Sequence, residues 1–310
     1  MNEWYFIINP VAGHGKGRCT WRNIEKELQK MEISYRSFLT QHEGHAEVLA
    51  RQIATMQDDR LKRLIAIGGD GTIHEVLNGL KETEHDVQLS FVPTGHRNDA
   101  AKGLGIHRHD VLKEVRKQKS LLTKTFSLGS FQDHAESPQS VLFINHIGIG
   151  FDAHVLKKTA HFKGRKWLIR LKLGFIIYLM SFLRSLWSFK PFDLALFIEN
   201  EKKVFRQVWF VIVCNHPFYG GGLQAAPEAT SRQPGFQTMV VTNLNPFKVL
   251  VFLSAMVFRK HITMDGVTLF HHKEAYLEAD EKILFHADGE VIGATPVFVK
   301  ASERSLKLRA

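Results

Sequence analysis

Cysteine is almost absent from the chain: its 310 residues include two, Cys19 and Cys214, with no CxxC spacing. A disulfide framework and a cysteine-based zinc site are therefore not expected, and a reducing cytosol suits the sequence. Long apolar runs are missing as well. The longest, Leu173 to Leu183, has 11 residues, against the roughly 20 needed to span a bilayer, so no segment is expected to cross a membrane. The opening Met1-Asn2-Glu3-Trp4-Tyr5-Phe6 has an acid where a signal peptide carries basic residues, which argues against secretion. Low-complexity tracts and internal repeats are lacking, and 44% hydrophobic with 23% charged residues is a globular composition. A chain of this length suits two domains.

Acidic residues are scarce in one half only. Residues 1–150 hold 19 Lys+Arg against 18 Asp+Glu, whereas residues 151–310 hold 22 against 13. A surplus on one side favours an anionic partner, either nucleic acid or an acidic membrane face. The basic half shows no recognised nucleic-acid module, and nucleic acid is not expected as a partner.

Apolar runs alternate with helical patterns in the first part of the chain: Tyr5–Ile8, Tyr35–Leu39, Leu64–Ile67 and Leu89–Val92 read as strands, each followed by a helix. This grammar predicts a parallel sheet covered on both faces. After about residue 125 strands dominate, with Val141–Ile149 read as a single strand and helices only near 157–189 and 246–258. The expected division is an α/β domain at 1–128 and a mainly antiparallel β-sandwich at 129–310, whose last residues pack back on the first domain.

In a parallel sheet, ligands bind where strands end and helices begin. Three glycine-bearing turns occupy such places: Asn9-Pro10-Val11-Ala12-Gly13 running on to Gly17, Gly68-Gly69-Asp70-Gly71-Thr72, and Pro93-Thr94-Gly95-His96-Arg97-Asn98-Asp99. Glycine permits a close backbone approach, so main-chain N–H groups can hold phosphate oxygens at a helix N-terminus. Asp70 would repel a phosphate unless a cation lies between them, and the pairing points to a metal–nucleotide complex. A plain tight turn with Asp70 as a cap remains the alternative. Near the other end, Asp288-Gly289-Glu290 reads either as a simple hairpin or as a proton acceptor beside a second acid.

These motifs, with Gly150-Phe151-Asp152-Ala153, Tyr219-Gly220-Gly221-Gly222 and Pro227, occur in the order seen in the diacylglycerol kinase family. The chain resembles its bacterial soluble lipid kinases, relatives of the sphingosine and ceramide kinases, over nearly its whole length. The resemblance implies a three-layer, phosphofructokinase-like nucleotide domain joined to a β-sandwich, and transfer of the γ-phosphoryl group of ATP to the hydroxyl of diacylglycerol or a similar lipid. It further implies ATP contacts from Asn9, Pro10, Val11, Ala12, Gly13, Thr40, Gly68, Gly69, Asp70, Gly71, Thr72, Ile73, His74, His96 and Asn98. Glu290 would be the proton acceptor, and Asp70, Asp99 and Asp152, with Asp288 as the second catalytic acid, would build the Mg2+ and water network. A cytoplasmic enzyme that associates peripherally with the inner membrane face follows, with a homodimer as a further candidate. The alternatives are an NAD kinase-like enzyme, which shares GGDGT, and a catalytically weakened lipid-binding homologue.

Two departures from the family pattern stand out. Bulky His96 and Arg97 occupy positions usually filled by Thr and a small residue, and Gln233-Pro234-Gly235 replaces an Asp-Gly that serves a structural magnesium site. That ion is not expected here. For the membrane, Lys157, Lys158, Lys163, Arg165, Lys166, Arg170 and Lys172 precede the run Leu173–Leu183, with Trp167, Tyr178 and Trp187 around it, as in a helix lying on an anionic surface. A core helix with a solvated basic flank is the alternative there; the apolar stretch 248–261 is a second candidate for the membrane, for which a core helix is the favoured reading.

Overall fold

The computed structural model describes residues 3–56, 62–81, 87–109, 111–113, 123–133, 140–162, 174–199 and 201–309. The first region runs β1 (Glu3–Ile8), α1 (Ala12–Lys30), β2 (Tyr35–Leu39), α2 (His45–Thr55), β3 (Lys62–Gly68), α3 (Asp70–Leu80), β4 (Val87–Pro93) and α4 (Asp99–Leu104). Strands β2, β1, β3 and β4 lie side by side and parallel. Alternation along each strand explains the layering, because successive side chains leave opposite faces. Trp4, Phe6, Ile8, Ile65 and Ile67 pack on Trp21, Ile24 and Leu28 of α1. Tyr5, Ile7, Leu64 and Ala66 pack on Leu49 and Ile53 of α2 and on Ile73, Val76 and Leu77 of α3. Both faces are therefore apolar and covered, and every strand delivers its C-terminal end to the same edge.

The second region contains β5 (Thr123–Asp133), β6 (Val141–Phe143), β7 (His146–Gly150), α5 (Phe151–Ala160), α6 (Gly174–Ser188), β8 (Phe192–Ile198), β9 (Glu201–Cys214), β10 (Phe218–Tyr219) and β11 (Leu223–Gln224). It continues with β12 (Phe236–Thr242), α7 (Pro246–Val257), β13 (Val267–His272), β14 (Glu274–Ala279), β15 (Leu284–Ala287), β16 (Glu290–Ala294) and β17 (Val297–Arg309). Its strand pairs are antiparallel. Long β9 divides two cores: Val211 and Val213 enter the sandwich interior with Phe143, Phe285 and Val299, while Phe210, Ile212 and Cys214 face a helical layer holding Phe151, Leu186, Val249 and Phe252. The architecture is an α/β domain with a parallel sheet followed by an antiparallel, sandwich-like domain. Leu308 of β17 pairs with Leu89 of β4, so the last strand reaches the parallel sheet.

Two sequence readings are refined. The run 141–149 is interrupted between β6 and β7, because the backbone N–H groups of Ile144, Asn145 and His146 turn to one carboxylate, that of Asp288. The helix read near 157–189 is α5 and α6; the basic residues from Lys163 to Lys172, Trp167 among them, and most of the polar stretch after Asp133 lie outside the described residues.

Helices α2 and α3 meet closely at Gly79, where an added Cβ would lie 2.3 Å from the carbonyl oxygen of Glu47 and 2.8 Å from Cβ of Ala50. Backbone cannot yield as a flexible side chain can. Gly79→Val is expected to cost about 2 kcal/mol by overpacking, read as a lower urea midpoint; unchanged stability would show that the two helices are not held at this spacing.

Candidate active site

The three glycine turns meet. Gly13, with φ of 57°, lies so near the third turn that a Cβ would sit 2.0 Å from the carbonyl oxygen of Thr94. A Cβ on Gly95 would fall 2.6 Å from Cα of Gly69, which joins the second and third turns backbone to backbone. Asn9 Nδ2 donates to Thr72 Oγ1 at 3.0 Å, and its Oδ1 accepts from the N–H of Val11 at 3.2 Å. The N–H of Thr94 donates to the carbonyl of Gly68, and that of Thr40 to the carbonyl of Ile8. Asn9, Pro10, Val11, Ala12, Gly13, Thr40, Gly68–Thr72 and Asn98 thus share one sheet edge.

Helix α3 begins without a side-chain cap, and the first N–H groups of a helix lack intrahelical acceptors. Ile73 does not face the edge: its side chain is fully buried in the core and its N–H donates to the carbonyl of Gly69. His96 and Arg97 are exposed rather than lodged within the turn. The His96 ring lies against His14, with centroids 4.4 Å apart, and the Arg97 guanidinium lies 5.7 Å from the Tyr178 ring of α6.

Asp70 caps the short helix α4, accepting from the N–H groups of Ala100 at 3.0 Å and Asp99 at 3.2 Å. Burial pushes its carboxyl up to about 6, against the bond from Ala100 and with the charge of Asp99 adding to the rise. Asp99 Oδ2 accepts from the N–H of Gly221 at 2.8 Å, and Lys102 Nζ donates to the carbonyl of the same glycine. The Tyr-Gly-Gly-Gly loop of the second domain is thereby fastened to the third turn of the first.

Asp288 and Gly289 form the two-residue hairpin between β15 and β16, both with positive φ. The hairpin reading is met. The buried Asp288 carboxylate accepts from the N–H groups of Ile144 (2.9 Å), Asn145 (2.7 Å) and His146 (3.2 Å) and pairs with His74 Nδ1 at 3.0 Å. Burial alone would raise its pKa, but the bond and charge of His74, the charge of His146 and the amide of Ile144 bring it down to about 2. For His74, burial acts downward and is outweighed by Asp288 and Glu290, leaving the imidazole raised.

Two residues on, half-buried Glu290 reaches the second turn: a Cβ on Gly71 would sit 2.8 Å from its Oε1. Burial raises the Glu290 pKa; the charge of His74 opposes the rise, and those of Glu43, Glu75 and Asp288 add to it.

A further cluster surrounds Asp152 at the start of α5. Its Oδ2 accepts from the Tyr219 hydroxyl at 2.9 Å and pairs with His286 Nε2 at 3.0 Å. Burial would raise this carboxyl, but the charge and bond of His286, with Tyr219 and the N–H of Ala153, lower it. His146 stands between the Tyr219 and His286 rings and is driven down to about 3 by burial, so it carries charge only in the acid range where Asp288 titrates. His216 Nε2 meets Asn145 Oδ1 at 2.6 Å. Sequence reasoning assigned no role to His146, His216, Lys102 or Asn145; for Asn145 and His146 the one signal was polarity inside the apolar run Phe143–Ile149.

Among the described residues no three His, Cys, Asp or Glu side chains are grouped to ligate a metal directly. Asp99 Oδ1 is nonetheless buried without a hydrogen bond, its nearby cation Lys102 Nζ 3.6 Å away. An unsatisfied carboxylate oxygen beside Asp70 fits a hydrated divalent ion held partly by water and phosphate, as Mg2+ prefers.

Because the Asp288 pKa is depressed, its stabilisation is present above the ordinary carboxylate range and is lost as pH falls through about 2. The contribution is on the order of 2 kcal/mol. Asp288→Asn is expected to cost about 3 kcal/mol at neutral pH, since it leaves buried His74 without its counter-charge, and to flatten acid unfolding. An unchanged acid limb in a urea–pH series would contradict this.

Comparison with known proteins agrees with the geometry. Residues 3–131 match the model of the diacylglycerol kinase catalytic domain, and residues 145–310 match that of the YegS C-terminal NAD kinase beta sandwich-like domain. A Bacillus subtilis protein named "Putative lipid kinase YtlR" is 49% identical over 309 residues, covering 100% of both chains. The Bacillus subtilis "Diacylglycerol kinase" is 25% identical over 96% of this chain and 92% of its own. A crystal structure of a "putative diacylglycerol kinase" from Bacillus anthracis shares the fold, with a TM-score of 0.72 over 99% of this chain and 96% of that one, at 20% identity. With both domains matched in order and a full-length relative at this identity, the chain belongs to the diacylglycerol kinase family of lipid kinases.

Proposed function

We propose that the protein transfers the γ-phosphoryl group of ATP to the hydroxyl of a lipid, diacylglycerol or a similar alcohol. The observation that carries this reading is the position of Glu290, on the second domain, against Gly71 of a phosphate-type turn on the first. The N–H groups in the first turn of α3, which has no side-chain cap, suit the triphosphate oxygens. A loose phosphoryl-transfer transition state needs positioning and charge neutralisation above all.

In the step itself the lipid oxygen forms a bond to the γ-phosphorus, the bond to the β–γ bridging oxygen breaks, and ADP departs with that electron pair. The hydroxyl proton passes to the Glu290 carboxylate. Its raised pKa makes it a stronger base than an ordinary glutamate. Asp288 and His74 hold the hairpin so that Glu290 faces the turn, and Asp152, fixed by Tyr219 and His286, supplies negative charge beside the same hairpin strands. Asp70 and Asp99 would hold Mg2+ through water, and the ion would neutralise phosphate charge. The basic surplus of the second half supports peripheral association with an anionic membrane, where the lipid resides. No helix among the described residues is long and apolar enough to cross one.

Labelled ATP should phosphorylate one or more members of a panel of lipid alcohols and leave NAD, the control acceptor, unlabelled. Glu290→Gln is expected to lower turnover roughly 10²–10⁴-fold with the fold intact by circular dichroism. The acid limb of the pH–rate profile, set by protonation of this base, should lie above that of an ordinary glutamate and vanish in the variant. Transfer to NAD, or full turnover by Glu290→Gln, would refute the reading. Asp99→Asn is expected to raise the Mg2+ concentration for half-maximal rate roughly 10–100-fold; an unaltered Mg2+ titration would remove Asp99 from that role.

A further inference from the structure

Helices α6 and α7 each bury one stripe and leave a broad apolar face uncovered by any described residue. On α6 the stripe Ile177, Ser181, Ser185 and Leu186 is buried, while Leu179, Met180, Leu183 and Trp187 are exposed, Trp187 by 66%. On α7 the stripe Val249, Phe252 and Met256 is buried, while Phe247, Leu250, Val251, Val257 and the following Phe258 are exposed, Phe247 by 71% and Phe258 by 73%. The expectation that 248–261 forms a core helix is therefore half met: one side enters the core and the other does not. The two helices are neighbours in the same layer, so the faces adjoin. An apolar area of this extent in water marks a docking surface.

We propose that this two-helix face inserts into the interfacial layer of an anionic lipid bilayer, with Trp187, Phe247 and Phe258 as the inserted side chains. Charge selects the occupant. Segments 174–192 and 243–264 contain no Asp or Glu, and the exposed cations Arg184, Lys190, Lys248, Arg259 and Lys260 border the apolar residues. Apolar side chains with a cationic rim and no anion match acyl chains beneath acidic headgroups. In a symmetric pair of copies the same cations would be repeated across the interface, and like charges would repel. The face also adjoins the cleft: α6 carries Tyr178, on which Arg97 of the third turn rests, and packs on α5, which carries Asp152. The inference rests on the lipid-kinase reading for its purpose, since docking would bring the cleft to the layer where lipid hydroxyls lie.

The test is co-sedimentation of the full chain with vesicles of phosphatidylcholine alone and of phosphatidylcholine mixed with phosphatidylserine. Replacing Trp187, Phe247 and Phe258 together by Gln should weaken binding to the mixed vesicles at least roughly 100-fold and leave the thermal midpoint unchanged. Replacing Lys248, Arg259 and Lys260 by Gln should reduce binding roughly fivefold per side chain, only on the anionic vesicles and only at low salt. In the unaltered protein, brominated lipid should quench a fluorescence component that Trp187→Phe removes, a readout independent of the triple variant's folding. Binding equal to the parent's in the triple variant, or absence of Trp187 quenching, would overturn the proposal. So would a dimer that the triple substitution dissociates without altering vesicle binding, which would assign the face to a second copy. Vesicle binding that follows these substitutions in a protein that phosphorylates no lipid would support docking and count only against the kinase reading.

Discussion

The buried Asp288 carboxylate is the contact on which the site depends. It gathers three backbone amides of one strand junction and one imidazole of another domain, His74, around two oxygen atoms. Four donors compensate the desolvation of a charge that could not otherwise be buried. Because His74 belongs to α3 and Asp288 to the hairpin after β15, this pair joins the two domains at the site, beside the Asp99–Gly221 and Asn78–Leu142 bonds. Glu290 inherits its position from that pairing. The hairpin allows two residues to turn, so the next acid emerges facing Gly71 and not solvent.

The same region concentrates negative charge, and the structure divides it by environment. Asp288 is ionised by its donors, Asp152 by His286 and Tyr219, whereas burial raises Asp70 over its two amide donors and raises Glu290 over the charge of His74. Two acids are thus fixed as charges while two remain poised to take up a proton or a counter-ion. Separation of pKa values among neighbouring carboxyls is how one cleft can both bind a cation and accept a proton.

Much of this was legible in the sequence, for identifiable reasons. Glycine at the strand-to-helix turns marks backbone that must approach something closely, and Gly13 approaches Thr94 while Gly69 and Gly95 approach each other. Parallel alternation in β1 and β3 announced a sheet buried on both faces. The destination of Glu290 was not legible from local pattern, because Asp-Gly between strands specifies a hairpin and says nothing of which domain it touches. Nor could His146 and His216 be assigned, since their roles arise from strands and loops distant in the chain. Bulky His96 and Arg97 stand where the family pattern has Thr and a small residue, and the left-handed Asn98 that follows belongs to a turn that keeps both exposed. Helix α7 misled in the opposite direction, because a segment apolar all round gives no polar stripe to mark its open side.

The central claim is that the turn amides and Glu290 close on one triphosphate from opposite domains. It is tested most directly by a crystal structure with a non-hydrolysable ATP analogue and Mg2+. The account predicts the γ-phosphate at the α3 N-terminus with the Glu290 carboxylate one hydroxyl group away. A triphosphate bound elsewhere, or a Glu290 carboxylate directed away from it, would contradict the account.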